Sequence, residues 1–243
     1  MCDLLEAAME IPLVTIQKDM DLADLVEARQ AAAPRPSWCS IFTKAYGKVV
    51  ASRPELRRAY LTFPWARIFE YRCAAADVTV EARIGDENVL VFVPIRQPEN
   101  WRLLEMDEYI AECKADPIAR IAPYRRALIL AAWPKFIRRI GMWLALNASA
   151  WLRFYYFGNF GVTSVGNWGI ESIRPIAPTI SIIHYGAISP DGIVSVRLTY
   201  DHRVMDGSGP SAALVELENV LRTDIVDELR SLEPVSIGLS SAS

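Results

Sequence analysis

One histidine in this chain stands where it can do chemistry. Only two are present, His184 and His202, and His202 lies in the run Thr199-Tyr200-Asp201-His202-Arg203-Val204-Met205-Asp206-Gly207, between charged neighbours. The residues before it, Ile193 to Tyr200, alternate apolar and polar side chains, which is the period of a strand with one buried face. Gly207, Ser208, Gly209 and Pro210 break that pattern. Ala212 to Leu221 then carries apolar residues at helical spacing, with Pro210 suited to the first helical position. The order predicts a strand that delivers His202 to a fixed strand-turn-helix corner. An imidazole, which ordinarily titrates near pH ~6.5, suits a general base, and His202 is the candidate.

A second segment with hydroxyl chemistry lies upstream, Phe160-Gly161-Val162-Thr163-Ser164-Val165-Gly166-Asn167-Trp168-Gly169. The motif Asp-His-Arg-x-x-Asp-Gly resembles the active-site signature of the 2-oxoacid dehydrogenase acyltransferase (E2) catalytic-domain family, whose fold is shared with chloramphenicol acetyltransferase. The upstream segment resembles that family's Phe-Thr-Ile-Ser-Asn-Leu-Gly-x-x-Gly block. Two further matches are weaker. Ile11 to Ile16 followed by Asp19-Met20-Asp21-Leu22 looks like the family's opening strand and helix, and Ser40-Ile41-Phe42-Thr43-Lys44-Ala45 leading to Arg53-Pro54-Glu55-Leu56 looks like a helix ended by proline. The resemblance covers nearly the whole chain and only the catalytic domain, so 1–243 reads as one domain with no lipoyl or subunit-binding domain.

The resemblance implies a coenzyme A-dependent acyltransferase that uses acyl-CoA as co-substrate, with no covalently bound lipoate, and a hydroxyl, thiol or amine acceptor that is small or lipophilic. In that reading His202 takes the acceptor's proton. Thr163 falls at the family's oxyanion-stabilising serine and Ser164 where an asparagine is common, and either hydroxyl can donate to the oxyanion. Asp206 matches the family's acidic position four residues after the histidine and orients the site rather than reacts. Asp201 and Arg203 form a pair that fixes the turn and one rotamer of His202. His184 lies inside the apolar strand Ile180-Ser181-Ile182-Ile183-His184-Tyr185 and is weighted as a packing residue, with contact to the acceptor as the alternative. Relatives are trimers in which the histidine of one subunit faces the hydroxyl of the next, so a homotrimer is expected; its C-terminal stretch, Pro234 to Ser243, is read as lacking the apolar anchor of cage-forming E2 cores. The rival is a catalytically silent trimeric scaffold that docks on a membrane or a partner.

With 243 residues, 52% of them apolar, the chain can bury a large core. No Gly/Ser-rich linker or repeat divides it. Cys2, Cys39, Cys73 and Cys113 are scattered without a Cys-x-x-Cys pair, so no metal site is expected and the thiols read as free and mostly buried. The N-terminus lacks a secretory pattern, which points to a cytoplasmic, if membrane-peripheral, location. The pattern predicts a strand over 11–16, a helix over 22–31 opened by Asp21, a helix over 37–52, strands over 67–72, 77–84 and 89–95 with a hairpin turn at 85–88, a helix over 103–114, and strands over 157–164, 180–188 and 193–200. Such an order predicts an α/β (α+β) sandwich built on one mixed sheet rather than a doubly wound fold, and the resemblance implies that this sheet is chloramphenicol acetyltransferase-like.

The span 117–156 departs from the family. From Pro117 to Ile170 there are Arg120, Arg125, Arg126, Lys135, Arg138, Arg139 and Arg153 but no aspartate or glutamate, in a chain whose net charge is −3. Trp133, Trp143, Trp151 and many aliphatic residues are interleaved with them. An extra amphipathic helical hairpin follows. It is interrupted well short of the roughly 20 apolar residues a membrane span needs, and three roles are open to it: packing on the domain or a neighbour, lying on a membrane surface, and meeting the 3′-phosphate and pyrophosphate of coenzyme A with its arginines. Nucleic acid is not expected, because the aromatic residues sit among aliphatic ones.

Overall fold

A computed structural model describes residues 6, 8–9, 11–84, 86–163 and 178–232. Strand β1 (Leu13–Asp21) pairs along its whole length with β8 (Ile193–Asp201), the last strand among the described residues, from Leu13 opposite Asp201 to Asp21 opposite Ile193. The opening strand therefore runs five residues past the expected 11–16. Asp21 is its last residue rather than a helix cap. Its carboxylate accepts from the Ala23 amide at 3.2 Å, and Leu22 is the N-cap of α1 (Ala23–Ala31). A chain turning from strand to helix at once needs close backbone approach on the other side. Gly192, at φ +84, supplies it, since a Cβ there would stand 2.5 Å from the backbone of Ala23.

Helix α2 (Trp38–Ser52) begins at Ser37, whose side chain accepts from the Ser40 amide, and ends ahead of Pro54, as its sequence predicts. It is buried along most of its length and forms the spine of the core. Its Phe42 stacks on Tyr185 at 4.1 Å, and its Tyr46 meets Phe160 edge-on at 5.0 Å while donating to Ser181 Oγ at 2.9 Å. A turn of 3₁₀ helix leads into β2 (Arg58–Leu61) and β3 (Arg67–Glu70), which pair with each other in a separate two-stranded sheet. Next come β4 (Ala75–Ile84), β5 (Glu87–Arg96) and α3 (Leu103–Ala115).

The basic span folds as α4 (Pro117–Arg120), α5 (Ala122–Ala131), α6 (Lys135–Asn147) and α7 (Ala150–Phe157), four helices rather than the two expected. Strand β6 (Phe160–Thr163) starts later than 157 because α7 runs to Phe157 and Gly158, at φ +61, turns the chain. A Cβ at Gly158 would stand 2.6 Å from the Ala75 carbonyl oxygen. Strand β7 (Ser181–Tyr185) precedes β8, and the chain closes with α8 (Ser208–Arg222) and α9 (Asp224–Arg230). Pro210 sits third in α8, not first. First-turn amides have no intrahelical partner, so its missing N–H costs nothing there.

Among the described residues the main sheet has six strands, in the order β1-β8-β7-β6-β4-β5. The pairs β4/β6 and β6/β7 are parallel and the other three antiparallel, so the sheet is mixed as expected. Side chains alternate between its faces. Ala76, Val78, Phe160, Val162, Ile183, Tyr185, Leu198 and Tyr200 fall on one face and join the core beneath α2 and α8. The opposite face is polar, with Asp77, Thr163, His184, Arg197 and Thr199 at neighbouring register positions.

Candidate active site

Strand β8 fixes the site's first corner. The Asp201 amide donates to the Ile180 carbonyl at 3.0 Å, and the His202 amide to the Pro12 carbonyl at 3.0 Å, so the backbone on either side of the turn is held by β7 and by the entry to β1. Asp201 is fully buried. A carboxylate there has to be paired, and Arg203 pairs it in a fork: Nη2 donates to Oδ2 at 2.7 Å, Nε to Oδ1 at 2.9 Å, and the Arg203 amide to Oδ1 at 3.0 Å. With both its neighbours locked to each other, His202 is turned out to solvent, its ring centred 5.9 Å from that of Tyr200. The expected Asp201–Arg203 clamp is present.

Asp206 is exposed and accepts from the Ser208 amide at 3.1 Å and the Ser208 hydroxyl at 2.6 Å, tying down the start of α8. Those two bonds hold its carboxyl below the usual range, with a smaller contribution from the charge of His202. Asp206 thus stands just ahead of α8, four residues beyond His202.

A further brace was not legible in the sequence. The Arg203 guanidinium lies 5.1 Å from the ring centre of Tyr60 in β2. Arg153 of α7, 2% exposed, donates to the Tyr60 carbonyl and to the Pro178 carbonyl, each at 3.0 Å. Burial lowers its pKa, and the charges of Tyr71 and Asp201 oppose that shift. In the sequence Arg153 looks like one more cation of the basic span; the only signal that it differs is its place among Trp151, Leu152, Phe154, Tyr155 and Tyr156. Tyr60 gives no signal at all.

Thr163 ends β6, opposite His184 in β7, and His184 in turn lies opposite Arg197 in β8. Directly opposed residues share a face, so Thr163, His184, Arg197 and Gln17 form one polar row across four strands, and Arg197 Nε donates to Gln17 Oε1 at 2.8 Å. His184 is buried. Its packing role accords with that burial, while its place next to Thr163 makes it part of the hydroxyl's surroundings. Ser164 lies outside the described residues.

The two candidate centres are not close to each other. His202 follows the end of β8 that pairs with the start of β7, and Thr163 lies level with Arg197, five residues back along β8. At about 3.3 Å per residue and 4.8 Å per strand, their Cα atoms stand roughly 19 Å apart. A base and an oxyanion donor that serve one carbonyl each lie about 3 Å from its reacting atoms, so Thr163 and His202 of one chain do not meet on one carbonyl.

No family model and no curated protein sequence matches the chain. Solved structures do. The dihydrolipoamide acetyltransferase (E2p) of Azotobacter vinelandii, for which roles in catalysis were investigated for a serine, a histidine and an asparagine four positions beyond it, superposes with a TM-score of 0.68 at 20% identity, over 94% of this chain and 88% of that one. The cubic core of a pyruvate dehydrogenase multienzyme complex matches with a TM-score of 0.64 at 19% identity, over 94% and 88%. A chloramphenicol acetyltransferase matches with a TM-score of 0.51 at 14% identity, over 89% and 92%. The fold is the one these acyltransferases share, as the sequence motifs imply.

Proposed function

We propose that this chain is an acyltransferase that moves an acyl group from a coenzyme A thioester to a hydroxyl, thiol or amine, and that it works as a trimer whose sites lie between subunits. In each site His202 of one subunit takes the acceptor's proton as the acceptor attacks the thioester carbonyl. The hydroxyl of Thr163 of the partner subunit donates to the oxyanion of the tetrahedral intermediate. When the intermediate collapses the carbon–sulfur bond breaks, and the proton held on His202 goes to the departing thiolate, leaving acylated acceptor and free coenzyme A. A positioned donor aimed at the developing charge contributes most in a site that excludes water, which an interface between subunits provides.

The observation that carries this reading is the roughly 19 Å between Thr163 and His202 in one chain, a gap that a second copy of the chain would close. The exposed, backbone-anchored placement of His202 supports a base that meets a partner. The acyltransferase fold adds weight, and Asp206 stands four residues beyond His202, the same interval as between the histidine and asparagine studied in the Azotobacter enzyme. Free Cys39, Cys73 and Cys113 are in keeping with a reducing, cytoplasmic setting.

The reading is tested by coenzyme A release from a panel of acyl-CoAs, with and without hydroxyl, thiol and amine acceptors, for wild type and His202→Ala. Release that the substitution abolishes is the expected result. No release with any donor, from protein that is folded and oligomeric, would favour the silent scaffold instead.

A further inference from the structure

Helices α5 to α7 leave a large apolar surface uncovered. No residue of α5 is buried, and α6 buries only Ala145 and Leu146. Ile129, Trp133, Phe136, Ile140, Trp143 and Trp151 are 45 to 65% exposed, on consecutive helices. The patch continues onto the β2–β3 hairpin, where Phe63 meets the Trp143 ring at 5.6 Å. Isolated exposed apolar residues need no explanation, but a contiguous set rimmed by polar groups marks a docking face.

Charge decides what docks there. The span from Pro117 to Ile170 carries no carboxylate, although the chain as a whole is acidic. Arg120 and Arg139 find acidic partners in Glu112 and Glu6, which belong to other segments. Arg125 and Arg126 lie on α5 with exposed Ile129, and Lys135 and Arg138 on α6 with exposed Phe136, Ile140 and Trp143. Self-pairing through this face would set cation against cation. The head-to-tail contacts of a trimer offer this face no matching apolar patch: outside α4 to α7 and the β2–β3 hairpin the large exposed apolar residues among the described ones, Met9, Leu90, Ile193 and Val215, lie on four different segments. Tryptophans and cations around an aliphatic face suit a bilayer surface with anionic headgroups, where rings sit at headgroup level and cations meet phosphate. No helix among the described residues is long and apolar enough to cross a membrane. We propose that α5 to α7 seat the protein on an anionic lipid surface by lying in its interface.

The anchor does not rest on the acyl-transfer reading, and its test does not measure catalysis. Full-length protein is sedimented with vesicles of phosphatidylcholine alone or of phosphatidylcholine with phosphatidylglycerol. Wild type is expected to pellet with the mixed vesicles, far less with the neutral ones, and progressively less as salt is raised. Phe136→Ser with Ile140→Ser, at sites 65% and 57% exposed, should lower partitioning at least about tenfold while circular dichroism stays unchanged. Lys135→Glu should lower it roughly fivefold or more. Failure of wild type to bind either vesicle, or serine variants that bind as wild type does, would overturn the proposal. So would serine variants that lose oligomeric mass in sedimentation velocity, which would give the face to a second copy of the chain.

Discussion

Thr163 and His202 mark opposite ends of one sheet. Thr163 closes β6 level with Arg197, whereas His202 leaves β8 five residues further on, beyond the start of β7. The two candidate residues of one chain are thereby held roughly 19 Å apart. In the proposed mechanism, association of copies is what brings the two together.

Removing either half should cost rate rather than fold. His202→Ala is expected to lower kcat by about 10²- to 10⁴-fold, the usual worth of a positioned base. Thr163→Ala is expected to lower it by about 10²- to 10³-fold, with Thr163→Ser retaining most activity. Steady-state kinetics with the best acyl-CoA checks both, and a Thr163→Ala enzyme as active as wild type would remove Thr163 from the mechanism.

The Asp201–Arg203 fork should matter to both stability and rate. Arg203→Ala strands a fully buried carboxylate, and breaking a pair of this kind costs about 3 kcal/mol or more. The measurement is denaturant unfolding. With His202 no longer held between locked neighbours, kcat should fall while KM for acyl-CoA changes little. Unchanged stability together with unchanged kcat would show that the fork is dispensable.

Asp77, on the polar face of β4, gives the fold a pH signature. Burial pushes its carboxyl from 3.8 up to about 7, opposed by the charge of Arg96. Between those values the folded chain keeps a proton that the unfolded chain has released, so the folded state binds more protons and stability falls as pH rises. The loss begins near pH 4 and is complete above about 7. Asp77→Asn removes it and should raise the melting temperature clearly at pH 8, for a stabilisation on the order of a few kcal/mol, and little at pH 4 to 5. Equal shifts at both ends, measured at one protein concentration, would contradict this.

What could be read in the sequence was local and periodic. The alternation of Ile193 to Tyr200, the serine cap and proline stop of α2, and the breakers after Asp206 placed the histidine corner before any coordinates did. Boundaries slipped where a tertiary partner decides them: β1 runs to Asp21 because β8 offers it nine partners, and α7 runs to Phe157 until Gly158 turns the chain. The hairpin of β2 and β3 was half seen, since Arg58–Leu61 is too short to show a period. The expected single greasy face of the basic span became an exposed surface on several helices. Contacts between residues distant in sequence, such as Arg153 with Tyr60 or Thr163 with His184, leave no trace in composition or spacing. The separation of Thr163 from His202 is of that kind, because it follows from strand order and register.

Mixed trimers test the central claim most directly. His202→Ala and Thr163→Ala proteins, each nearly inactive alone, are unfolded together, refolded in equal amounts and assayed for coenzyme A release. If the site is shared, random assembly rebuilds it at about one interface in four, and activity should return to about a quarter of wild type. Trimers of the two variants refolded separately and then mixed should stay inactive. If co-refolded protein is no more active than the separate variants, the histidine and the hydroxyl do not act across an interface, and the account fails.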